Sequence, residues 1–108
     1  MLLASWNING IRAVHKKGLL VPFFEKYQPD IVGFQETKAE QHQSEVDLPE
    51  YEEHWYSAQK KGYSGTAIFT KQKPLSVVLG IPEKIAQKHH LVPDKFGNPL
   101  TEGRVIAA

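Results

Sequence analysis

Three side chains in this sequence have the type and placement for work on a charged substrate: Asn7, Asn9 and Glu36. Glu36 closes the run Asp30-Ile31-Val32-Gly33-Phe34-Gln35, and is followed by Thr37 and Lys38. The apolar centre of that run predicts a short strand covered on both faces, which puts Glu36 at the lip of the core. An ionised carboxylate there is costly unless donors or a cation meet it. A bound hard metal ion resolves that conflict. Taken alone, a glutamate at a strand end is more often a helix-cap acceptor or an ion-pair partner. The first strand, over residues 2–10, changes the odds. Leu2, Ala4, Trp6 and Ile8 share one face and Ser5, Asn7 and Asn9 the other, so two amides are presented together at its carboxyl end.

These groups need elements to position them. Residues 11–18, bounded by Gly10 and Gly18, read as a basic loop carrying Arg12, Lys16 and Lys17. Arg12 lies close enough to the strand end to face what Asn7 and Asn9 face. Leu19, Leu20, Phe23, Phe24 and Tyr27 recur at helical spacing, with Pro22 tolerable in a first turn and Pro29 ending the segment. Strand, helix and strand then form a βαβ unit that brings both strand ends to one edge. Residues 39–53 are polar and acid-rich, predicting a surface loop with a short helical piece. Residues 51–58 and 64–70 predict a hairpin, and residues 75–81 a third strand of the same meander. Residues 82–103, with three prolines, predict a long irregular loop. Residues 104–108 begin another apolar strand. A domain rarely stops mid-strand, so residues 1–108 read as the amino-terminal portion of one longer domain.

At 108 residues there is room for one small core. No run approaches the roughly 20 apolar residues of a membrane span. The absence of cysteine excludes disulfides and thiolate metal sites, and no charged leader precedes the first strand, which points to the cytoplasm. The formal charge of +1 gives no global pull on nucleic acid, so any such binding rests on local patches. His89 and His90 are adjacent and would point apart in a strand, which argues against a zinc pair. His15, His42 and His54 likewise receive no catalytic role.

Four stretches together resemble the exodeoxyribonuclease III family: Trp6-Asn7-Ile8-Asn9-Gly10-Ile11-Arg12-Ala13, Gln35-Glu36-Thr37-Lys38, Gly62-Tyr63-Ser64-Gly65 and Glu102-Gly103-Arg104-Val105. The resemblance implies an α/β fold, the front part of a four-layer α/β sandwich with largely antiparallel sheets. It implies a nuclease that cleaves double-stranded DNA at abasic sites and trims 3′ ends, monomeric at full length. Glu36 is then the principal Mg²⁺ ligand, with Mn²⁺ as an alternative ion, and Asn7 belongs to the catalytic and metal network beside Asn9. Mg²⁺ suits such a set because it takes hard oxygen ligands and keeps several waters. Arg12, Lys16 and Lys17 correspond to a phosphate-contacting loop. Lys38 lies two residues past Glu36, on the same strand face if the strand persists. Tyr63, Ser64 and Gly65 resemble a DNA-contacting loop whose backbone N–H and hydroxyl groups aim at phosphates.

The family's catalytic tyrosine, its Asp-x-Asn pair and its late Asp-His pair have no counterpart in the 108 residues, so the chain alone is expected not to turn over. The alternative is a noncatalytic half-domain that binds DNA phosphate or completes its sheet with another chain. A relative acting on phosphorylated lipids or sugars fits less well with the loops at Arg12 and Tyr63.

Overall fold

The computed structural model describes residues 1–89 and 101–108. Its main sheet has four strands, β1 (Leu3–Asn7), β2 (Ile31–Gln35), β3 (Glu52–Tyr56) and β4 (Thr66–Thr70), in the order β1-β2-β4-β3. β1 and β2 run parallel with Asn7 opposite Gln35, while β2–β4 and β3–β4 are antiparallel. The parallel pair needs a crossover. α1 (Ile11–Lys16) and α2 (Leu20–Tyr27) supply it.

α2 forms where the apolar spacing requires. Leu20 and Phe24 are buried one turn apart, and Pro22 sits in the first turn, where its missing N–H would have had no partner. Phe24 centres the core, with its ring 4.7 Å from Tyr51, 5.9 Å from Phe69 and 6.1 Å from Phe34. Val32, Phe34 and Phe69 meet it from the sheet. Burying aromatic side chains of this size contributes about 1.5–3 kcal/mol each, which makes this one face the principal stabilising layer. The opposite face carries Leu3, Ser5 and Asn7, all exposed.

Three sequence expectations are corrected. Residues 11–16 are helix rather than loop, because Ile11 is fully buried and Val14, one turn on, packs against the same core. The third meander strand does not join the main sheet. β4 already has β2 on one edge and β3 on the other, so it has no edge to offer. Only β5 (Val78–Leu79) forms there, and it pairs with β6 (Ile106–Ala107) in a separate two-stranded sheet. The region after Ile81 is not wholly irregular: α3 (Glu83–Lys88) starts at Pro82, and Gln87 donates to Glu83 across one turn. A proline immediately before a helix is a start signal, here read as a breaker. The short helical piece expected after residue 39 is a 3₁₀ turn at Gln41–Gln43. His90 and the loop from residue 90 to 100 lie outside the described residues. Among the described residues no helix is long and apolar enough to cross a membrane.

Candidate phosphate and metal site

The parallel register sets Asn7 and Glu36 at neighbouring strand ends. Asn7 ends β1 opposite Gln35, and Glu36 is the next residue of the neighbouring strand. Beyond the strand ends the two chains stay tied: the Ile8 N–H donates to the Gln35 carbonyl (3.0 Å), Gly10 to Glu36 (2.8 Å) and Ile11 to Thr37 (3.0 Å). On its other side the same segment is pinned to the loop before β4, with Thr37 N–H donating to the Gly65 carbonyl (3.1 Å) and Lys38 N–H to Ser64 (2.8 Å). Residues 36–38 are therefore held between two loops.

This clamp imposes unusual backbone. Five described non-glycine residues have positive φ, and four of them, Asn9, Glu36, Lys38 and Ser64, lie on these tied segments. The fifth, Gln28, caps α2. Left-handed backbone costs an ordinary L-residue about 1 kcal/mol or more, so its concentration here marks a segment whose shape the surroundings enforce. Gly65 belongs to the clamp for a steric reason: a Cβ there would lie 2.5 Å from the buried Thr37 hydroxyl oxygen. Strained residues of this kind cluster at functional sites.

One expectation about Glu36 changes, and Asn9 gains a partner. Glu36 is exposed, not set at the lip of the core, so desolvation does not demand a metal. Its carboxylate, like the Asn7 amide, has no hydrogen-bonding or ionic partner among the described residues. Asn9 lies past the end of β1, and its Oδ1 accepts from Lys38 Nζ at 2.5 Å. That bond engages one of the two lone pairs of the amide oxygen. Lys38 in turn does not continue the Glu36 strand face, because β2 ends at Gln35.

Three of the basic side chains lie around one cavity. Asn9, Arg12, Lys16, Lys38 and Gly62 line a common basin of about 460 Å³. Arg12 donates to the Lys38 carbonyl (3.0 Å), which orients the guanidinium and leaves its other N–H groups free of partners among the described residues. Lys17 does not line that basin; it caps α1.

Tyr63 differs from its expected role. Its hydroxyl donates to Glu102 Oε1 (2.9 Å) and accepts from Arg104 (3.0 Å), while Arg104 Nε donates to Glu102 Oε2 (2.9 Å). The phenol proton is already engaged, so Tyr63 has none left to give a phosphate. Glu102, held by Arg104 first and Tyr63 second, titrates below the usual carboxylate range. Arg104 rises above its ordinary value, through Glu102 foremost. Gly103 between them cannot carry a side chain, since a Cβ would lie 2.3 Å from the Tyr56 carbonyl oxygen. Sequence reasoning noted this motif without a role for its charges; an acid and a base two residues apart were the available signal. It also passed over Gln35, whose side chain exchanges hydrogen bonds with Ser5 on the Asn7 face.

The sequence matches the endonuclease/exonuclease/phosphatase family over residues 4–107. The chain belongs to that family. It is 41% identical over 99 residues to an exodeoxyribonuclease of Bacillus subtilis, covering 91% of this chain and 39% of that protein. It is 38% identical over 114 residues to the DNA repair nuclease APEX1 of Danio rerio, covering 100% of this chain and 32% of that protein. The solved catalytic domain of APE2 from Xenopus laevis superposes with a TM-score of 0.68 at 26% identity, over 98% of this chain and 38% of that one. This member of the family thus spans well under half the length of these relatives, and it folds as the mixed α/β part that they share. Among its described residues no three His, Cys, Asp or Glu side chains converge as a metal-binding group.

Proposed function

We propose that this chain carries the phosphate- and metal-binding rim of a DNA-repair nuclease that hydrolyses phosphodiester bonds in duplex DNA at abasic sites and 3′ ends. One observation carries the reading: a carboxylate and an amide with no partner among the described residues, Glu36 and Asn7, stand at the ends of two parallel strands whose loops also line a basin with Arg12, Lys16 and Lys38. An exposed carboxylate with an adjacent amide oxygen fits Mg²⁺, or Mn²⁺ in its place, because such ions keep several waters and let the substrate phosphate complete the shell. Bound there, the ion supplies Lewis-acid stabilisation of the charge that develops as the P–O3′ bond breaks. The chain's own residues do the positioning. Arg12 and Lys16 bind the flanking phosphates, and Lys38, anchored by Asn9, holds its ammonium at the basin. The Gly65 N–H of the neighbouring loop is already given to the Glu102 carbonyl (3.3 Å), so the phosphate contacts fall to these side chains.

The general-base and water-positioning groups that the family resemblance implies have no counterpart in these residues. The 108 residues are accordingly expected to bind but not to turn over, since general-base assistance alone is worth about 10²- to 10⁴-fold. The reading is tested by titrating the chain with Mn²⁺ and following paramagnetic broadening of its amide signals. Broadening centred on residues 7, 9 and 36, lost in Glu36→Ala, is expected; unchanged broadening in that variant removes Glu36 from the site.

The face of the sheet turned away from α2 favours a second reading. Leu3 is 63% exposed there, and Ile31, Ile68 and Leu75 line an open cavity of about 470 Å³. Apolar surface of this kind is completed by further polypeptide. A monodisperse monomer in sedimentation, with a cooperative thermal transition, would remove that reading.

A further inference from the structure

The molecule has a second concavity whose charge is opposite to that of the basin at Arg12 and Lys38. A groove of about 300 Å³ opens between α2 and the segment that leads into β3. Its floor is apolar, formed by Val21 and Phe24 on one side and Leu48 and Tyr51 on the other. Glu25, Asp47 and Glu50 stand around it, all exposed, and no lysine or arginine is among its described lining. The groove lies at the amino ends of β1 and β2. The Tyr51 hydroxyl donates to the carbonyl of Pro29, just before β2 begins, whereas the basic basin lies past the carboxyl ends of the same two strands.

Two groups register the excess negative charge. Burial pushes the Tyr51 hydroxyl above its ordinary value, and Glu50 and then Asp30 push it further. The Glu53 carboxyl is raised by burial and by Asp47, against the lowering bond it accepts from Trp55. Lys71 lies 5.9 Å from the Tyr51 ring centroid, and it is engaged with the Gln28 carbonyl at 3.4 Å. One lysine does not balance Glu25, Asp47 and Glu50.

We propose that this groove docks a cationic segment of a partner protein, with one apolar side chain seated over Phe24 and Tyr51 and lysines or arginines facing Glu25, Asp47 and Glu50. The sign of the field excludes nucleic acid. A purely apolar ligand would strip water from carboxylates without replacing it, which costs more than the small floor returns. An apolar anchor within a charged rim is the usual division of labour at such surfaces: the anchor supplies most of the affinity, the rim charges speed and select the encounter. The groove is small, so the affinity of an isolated segment is expected near the micromolar range. The proposal stands whether or not the opposite end binds phosphate.

The test is an amide chemical-shift titration of the 108-residue chain with a short peptide of lysines and arginines around one central leucine. Shifts are expected at residues 20–28 and 47–51. The double substitution Glu25→Lys with Glu50→Lys, at exposed positions outside the core, should weaken binding about tenfold or more and let a matching glutamate-rich peptide bind instead. Replacing the central leucine by serine should weaken it as well. Shifts mapping to other acidic stretches, equal affinity for the charge-reversed chain, or no binding at about 1 mM peptide would overturn the proposal. So would a self-association in sedimentation that the charge reversal abolishes, because it would assign the groove to a second copy of this chain.

Discussion

Strand β2 has a carboxylate at each end, and the two have opposite fates. Asp30, just before the strand, accepts the Leu2 N–H at 2.7 Å, and its backbone is tied to Leu2 and to Lys71. Glu36, just after it, has a backbone tied to Gly10 and a side chain tied to nothing among the described residues. At the amino end the charge is spent on closing the fold. At the carboxyl end the fold is closed by backbone alone, and four residues accept left-handed conformations to do it, leaving the side chains to act outward. Strand ends in α/β folds are where loops converge, and what separates a structural end from a working one is whether the side chain or the main chain does the tying.

The largest expected effect follows directly. In a chain extended by the remainder of the domain that its relatives carry, Glu36→Ala should lower Mg²⁺-supported cleavage of abasic duplex by about 10³-fold or more, the scale of several kcal/mol of charge stabilisation. Its thermal midpoint should stay unchanged, because nothing in the fold leans on that carboxylate. Asp30→Ala should invert the pattern, lowering unfolding free energy by about 1–2 kcal/mol in denaturant titration with DNA binding intact. If both substitutions destabilised alike, the contrast between the two ends would be lost.

Smaller effects sharpen it. Removing Lys16 should reduce the slope of log K against log salt for duplex DNA by about one, and removing Lys17, which lies outside the basin, should reduce it less. Equal slopes for the two variants would mean that the basin does not track the phosphates. The pH dependence of the Glu102 cluster is smaller still. The folded carboxyl titrates below its unfolded value, so its contribution is present above that value and is lost as pH falls through the lowered folded one, on the acid side of the ordinary glutamate range. Denaturant midpoints measured down this range should fall less steeply for Glu102→Gln than for the parent chain.

Much of this was legible in the residues themselves. The parity of Leu3–Asn7 and the unbroken apolar run Ile31–Gln35 announced two strands, and the aromatic spacing from Leu20 to Tyr27 announced the helix between them. Periodicity encodes which face is buried, so β1, α2 and β2 and the shared edge of Asn7 and Glu36 followed from it. The short helix at Ile11–Lys16 escaped because two apolar contacts in one turn are too few to show a period. β5 escaped for another reason: a strand's partner depends on which edges are free, and β4 has none.

The sequence by itself determined the kinds of chemistry available and the strands that would carry them, since residue type and spacing are local properties. Tertiary structure decided which polar groups remained free. It gave the Asn9 oxygen to Lys38 and the Tyr63 proton to Glu102, and among the described residues it left Asn7 and Glu36 unclaimed. Such pairings join residues 29 or 39 positions apart, and only folding brings those atoms within hydrogen-bonding distance.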